Sequence, residues 1–127
     1  MPTDDSGTRI AASASVEAPF DREGLLARLG GSVEILVEIA AMFCADAARM
    51  HAELRAHIEL ADAQAVGAAH QLKGALLNLS AGPASATARE LEAAARAGDW
   101  SSARALTERL GGELEALVTA FQREQAA

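Results

Sequence analysis

Ser32–Leu60 reads SVEILVEIAAMFCADAARMHAELRAHIEL, and the spacing of its apolar residues decides the fold class. Leu36, Ile39, Phe43, Ala47, Met50 and Leu54 recur every three or four residues, the repeat of one buried face on an α-helix. Ser32 stands where a side-chain oxygen can accept from the free N–H groups of a first turn, so the pattern predicts a long helix ending around Ile58 to Leu60. A second long stripe, Trp100, Ala103, Leu106, Leu110, Leu114, Leu117 and Phe121, follows Asp99 as a cap. It keeps its period through Gly111-Gly112, a pair able to bend a helix without ending it. Between the two, Asp62 is the expected cap of a third helix that runs to about Leu79 and stops before Gly82-Pro83. Pro83 then opens a shorter helix to Ala97, with Gly98 as its stop. Ahead of Ser32, Asp21 caps a short helix through Leu29, with Glu23 in its first turn and Gly30 and Gly31 after its end. These elements predict an all-α fold, an antiparallel up-down four-helix bundle with a short N-terminal lead-in helix. Residues 1–18 mix Ser, Thr, Gly, Ala and Asp without a period and are expected to form a flexible tail, leaving 19–127 as the domain.

Composition agrees with a helical domain and excludes several functions. Alanine, the strongest helix former, supplies 32 of 127 residues, and there is no Tyr. Acids outnumber bases 18 to 11, for a net charge of -7, which is the wrong sign for a protein that binds nucleic acid. With aromatics at 3% there is no base-stacking surface either. Cys44 is the single cysteine and reads as a small apolar residue, with no disulfide available to it. The first residues include Asp4 and Asp5 where a secretory signal carries positive charge, and no apolar stretch approaches the ~20 residues of a membrane span. A cytoplasmic monomer, without membrane attachment, is the expectation.

The functional signal lies in the third helix. At about 100° per residue, Ala65, Ala69, Leu72, Leu76 and Leu79 share one side, and His70 lies roughly 140° from the centre of that side. His70 therefore looks outward. Gly67 precedes it by about one turn and Gly74 follows by about one, and each costs a helix interior up to ~1 kcal/mol relative to Ala. Both clear side chains from around the imidazole. Val66 and Leu77 are expected on the same outward face, an apolar rim suited to docking. Lys73, the only lysine in the chain, stands three residues after His70, where its ammonium can meet negative charge placed on the ring. Gln71 can hydrogen-bond an oxygen placed on the ring or simply face water. The combination describes a histidine built to accept a phosphoryl group.

Ala69-His70-Gln71-Leu72-Lys73-Gly74, followed by Asn78-Leu79-Ser80-Ala81, resembles the signature of histidine-containing phosphotransfer (HPt) domains, in which His-x-Leu-Lys-Gly precedes a small-residue turn. The resemblance extends to the Leu91-Glu92 helix and covers roughly Phe20 to Gln125. The chain departs from the pattern at Ser80, where the family more often carries glycine, at the closure of the third helix against the fourth. The resemblance implies a phosphorelay intermediate without a nucleotide site of its own. His70 would take a phosphoryl group from an aspartate on the receiver domain of a hybrid histidine kinase and yield it to the receiver of a response regulator. Lys73 would stabilise the phosphoryl charge, and Val66, Gly67, Gln71, Gly74 and Leu77 would meet the partner. No cofactor is implied, since Mg²⁺ would belong to the receiver. Neither a Gly-x-x-x-x-Gly-Lys-Ser/Thr loop nor a Gly-x-Gly-x-x-Gly run is present.

Two other readings compete. A bundle can hold a metal or haem, and His51, His57, Met50 and Glu53 are conceivable ligands. Only Glu53 and His57 stand four apart among them, however, and no Glu-x-x-His occurs, so no metal site is expected. The alternative function is a binding module that docks on a receiver or kinase domain through the His70 face without carrying phosphate. Arg89, Glu90, Glu92 and Arg96 read as a solvated helix face, and Asn78-Leu79-Ser80 as a coincidental glycosylation triplet.

Overall fold

The computed structural model describes residues 17–127. Five helices and no strand occur among them: α1 (Arg22–Arg28), α2 (Val33–Glu59), α3 (Gln64–Asn78), α4 (Gly82–Arg96) and α5 (Trp100–Ala126). Nearly all of the expected N-terminal tail lies outside the described residues. The two long stripes form the two long helices, and α5 passes through Gly111-Gly112 without interruption.

Three of the expected caps form. Asp21 Oδ1 accepts from the Gly24 N–H at 3.0 Å, Ser32 Oγ from Ile35 at 3.1 Å and Asp99 Oδ1 from Ser102 at 3.2 Å. The fourth is a correction. Asp62 does not sit at the N-cap of α3, which Ala63 occupies with no side-chain bond. Its carboxylate instead spans the corner, accepting from the Gln64 N–H at 2.9 Å and from His57 Nδ1 at 3.1 Å. Both contacts hold the Asp62 carboxyl below its ordinary range, the Gln64 N–H being the larger cause.

Each of α1 to α4 closes in the same way. An N–H past the helix end returns to a carbonyl five residues back: Gly31 to Leu26 at 2.7 Å, Asp62 to His57, Ala81 to Leu76 and Asp99 to Ala94, each at 2.9 Å. That closure places the preceding residue in the left-handed region. Gly30 (φ 68°) and Gly98 (φ 72°) accept it freely, whereas Ala61 (φ 51°) and Ser80 (φ 56°) do so against the preference of L-residues, about 1 kcal/mol each. At Ser80 the turn is braced from α1. The Arg28 guanidinium donates to the Asn78 carbonyl at 2.8 Å and to Ser80 Oγ at 2.5 Å, and the Asp21 N–H donates to the Ser80 carbonyl at 2.8 Å. The departure from glycine therefore leaves the α3–α4 turn intact.

The long helices pack in a ring, α2 on α3, α3 on α4, α4 on α5 and α5 back on α2, with α1 against α2. Ala40, Ala65, Ala69, Ala88 and Ala103 are fully buried, so the helices approach closely and the core is thin. Its bulk comes from leucines and from Phe121, whose ring lies 4.7 Å from that of Phe20 and 5.9 Å from that of Phe43. Among the described residues no helix is long and apolar enough to cross a membrane.

Candidate functional site

Burial of Ala65, Ala69, Leu72 and Leu76 fixes the rotation of α3, and that rotation turns His70 outward with 65% of its side chain exposed. Facing it from α4 is Glu92, whose side chain is only 9% exposed. Three groups converge on this carboxylate. Lys73 Nζ lies 2.9 Å from Oε1, while Arg96 Nη2 at 2.6 Å and His70 Nδ1 at 3.2 Å share Oε2. The Lys73 ammonium does most to hold the Glu92 carboxyl at about 2, and the bonds from Arg96 and His70 add to it, against the opposing effect of burial. Glu92 is thus ionised at any physiological pH and can only accept hydrogen bonds. In the neutral ring the proton must then sit on Nδ1, which leaves the lone pair on Nε2 free.

Glu92 corrects the expectation of a solvated face on this helix. Arg89 and Glu90 are exposed as expected, but Glu92 is buried and organises the site. A signal for it exists in the sequence: Ala84, Ala88, Leu91 and Ala95 are the buried stripe of α4, and Glu92 stands at its edge, one residue past Leu91 and four past Ala88. Lys73 also differs from expectation. Its ammonium rests on Glu92 and not on the imidazole, so the two residues are linked through a shared carboxylate.

The residues expected to meet a partner divide. Gly67 and Gln71 are exposed, Gly74 is half-buried, and Leu77 is an exposed leucine on the same helix. A methyl group added at Gly67 or at Gly74 would meet nothing within 4 Å, so neither glycine is required by packing. Gly67 and Gln71 open on a groove shared with Glu53 and His57 of α2. Val66 is half-buried, packed in part against the core.

The other histidines serve structure. His51 Nε2 lies 2.9 Å from the Thr107 carbonyl, with its ring packed so closely on Gly111 that a Cβ there would approach to 3.0 Å. His57 is held by Asp62, Glu53 pairs with Arg49 at 3.3 Å, and Met50 packs against the core. Among the described residues no group of three or more His, Cys, Asp or Glu side chains could hold a metal ion. Cys44 is half-buried beside the Val118 carbonyl, and burial raises its thiol pKa.

The family model for the Hpt domain matches residues 38–123, a stretch that holds most of α2, all of α3 and α4 and nearly all of α5. The chain belongs to the Hpt domain family. No curated protein and no solved structure matches it. Hpt domains are phosphotransfer modules of two-component systems that interact with receiver domains, and they are phosphocarriers rather than enzymes with nucleotide sites.

Proposed function

We propose that this chain is an antiparallel four-helix-bundle phosphocarrier in which His70 receives a phosphoryl group from the aspartate of one receiver domain, on a hybrid histidine kinase, and delivers it to that of a response regulator. The observation that carries the reading is the bond between His70 Nδ1 and the ionised Glu92 carboxylate. It leaves Nε2 unprotonated on an exposed ring, the state a nucleophile requires. In the accepting step the Nε2 lone pair attacks phosphorus, an N–P bond forms, and the P–O bond to the aspartate breaks with the electron pair leaving on the carboxylate. The ring becomes a cation with its proton still on Nδ1, facing Glu92. In the delivering step the second aspartate attacks, the N–P bond breaks and the pair returns to Nε2. No proton moves in either direction.

The rest of the work is positioning and charge neutralisation. Lys73, on a flexible stem beside Glu92, can follow the phosphoryl oxygens, while Arg96 keeps Glu92 neutralised when it does. Gly67, Gln71, Gly74 and Leu77 form the face on which a receiver lands, with Val66 beneath it. The Mg²⁺ that phosphoryl transfer calls for is supplied by the receiver, and one copy of the chain furnishes every group named here.

The test is transfer from a receiver charged with acetyl phosphate. Label should appear on this protein as an acid-labile, alkali-stable N–P bond, and His70→Gln should abolish it while His51→Gln and His57→Gln accept it. A labelled His70→Gln variant overturns the assignment. Receiver binding without label on the wild type would make the bundle a docking module.

A further inference from the structure

From residue 63 to residue 89 the chain carries neither Asp nor Glu, a run of 27 residues in a protein whose acids outnumber its bases 18 to 11. The run spans all of α3 and the first half of α4, which are the elements that surround His70. Glu90, which ends it, lies about 160° around α4 from Glu92 and so faces away. The one carboxylate that does reach the site, Glu92, has both oxygens covered by Lys73, Arg96 and His70.

The bases on α4 have the opposite distribution. Arg89 stands three residues before Glu92 and Arg96 four after it, so all three occupy one stripe of the helix. That stripe faces α3, since Glu92 reaches His70 and Lys73 from it. Arg89 is exposed, and among the described residues it enters no ion pair. Arg96 is bound to Glu92 yet 65% exposed. On the other side of α3 the charges of α2 are mixed, with Arg49 paired to Asp46 and Glu53 and Arg55 to Glu108 of α5. The phosphoacceptor of an acidic protein is therefore flanked on the α4 side by a basic edge whose one carboxylate, Glu92, is already paired.

We propose that Arg89, with Arg96, forms a docking edge on α4 for the acidic, Mg²⁺-binding mouth of a receiver domain and so fixes which side of the receiver lies over α4. The inference rests on the phosphocarrier reading and deepens it. A donor that presents a phosphorylated aspartate and holds Mg²⁺ must surround that metal with carboxylate oxygens, so its mouth is anionic before and after transfer. A matching positive edge speeds encounter and disfavours reversed docking, through charge that acts before contact and is weakened by salt.

The experiment measures the second-order rate of phosphoryl transfer from a receiver domain charged with acetyl phosphate and Mg²⁺, at about 50 mM and about 500 mM salt, where screening lengths differ roughly threefold. Arg89→Glu should slow transfer about tenfold at low salt, with the gap closing at high salt, and Arg89→Lys should keep the wild-type rate and salt slope. Phosphoramidate, a small donor that needs no docking, should label His70 to the same final extent in all three proteins, and the label's lifetime in buffer should be equal. Equal rates and salt slopes for wild type and Arg89→Glu overturn the docking edge and leave the phosphocarrier intact. Failure of charged receivers to label a wild type that phosphoramidate does label overturns the phosphocarrier reading itself.

Discussion

Glu92→Gln tests the centre of the site because it keeps the shape of the side chain and removes only the charge. The Glu92 carboxyl sits at about 2 against an ordinary 4.5, a displacement equivalent to at most about 3–4 kcal/mol of stability. Arg96 and His70 are each 65% exposed, so water screens part of this and about 1–2 kcal/mol is expected. The sign follows from the depressed value: the contribution is fully present above pH 4.5 and is lost as pH falls towards 2. Urea unfolding of wild type and variant at pH 7 and at about pH 2 reads it directly. Wild type should be the more stable by about 1–2 kcal/mol at pH 7, and the two should nearly coincide in acid. Other carboxylates titrate identically in both proteins and cancel. A difference of the same size at both pH values would refute the reasoning, because the stabilisation would then come from packing and not from the ionised carboxylate.

Lys73→Ala should slow transfer and also destabilise the fold by about 1–2 kcal/mol, since it leaves Glu92 Oε1 buried without its ammonium; rate and urea midpoint on one sample check both. Gly74→Ala should raise the urea midpoint by up to ~1 kcal/mol equivalent, because the new methyl enters open space, while slowing transfer from a receiver that must approach there. Ala61→Gly should stabilise the domain by about 0.5–1 kcal/mol in the same assay, relieving a left-handed alanine at φ 51°.

The helices were legible because their evidence is local. Aliphatic period and a capping side chain are both properties of a short window, and the two long stripes, three of four expected caps and the outward turn of His70 follow from them. What was illegible depends on how one helix rotates against another. Glu92 meets His70 across 22 residues of chain, and nothing in a window around either residue reveals the other. Val66 lies roughly 100° from the centre of the α3 core face, at the boundary where a small roll of the helix decides between rim and core. Asp62 stands one residue ahead of the cap, its two carboxylate oxygens divided between the Gln64 N–H and His57 at the end of α2. Ala61 and Ser80 close their helices with positive φ, a role that glycine advertises in sequence and these residues do not.

The charges around His70 also bear on why the carboxylate is present at all. With Glu92 ionised and Lys73 and Arg96 charged, the resting cluster carries one net positive charge. On the proposed function, accepting a phosphoryl dianion onto a ring that becomes a cation would add one net negative charge and leave the loaded cluster neutral. Such a charge balance would suit a carrier that must give up what it accepts. In Glu92→Gln the balance shifts twice in one direction. Lys73 and Arg96, freed from Glu92, are left to bind the phosphoryl oxygens, and the phosphorylated ring, without a carboxylate at Nδ1, loses its proton more readily. Departure of phosphate from a neutral ring would expel an imidazolate, a far poorer leaving group than imidazole. Both effects hold the phosphoryl group, so the loaded variant should hydrolyse more slowly and deliver to a receiver about tenfold more slowly, a change of about 1.4 kcal/mol in barrier. Faster loss of label from Glu92→Gln than from wild type would mean that Glu92 protects the N–P bond instead of keeping it labile.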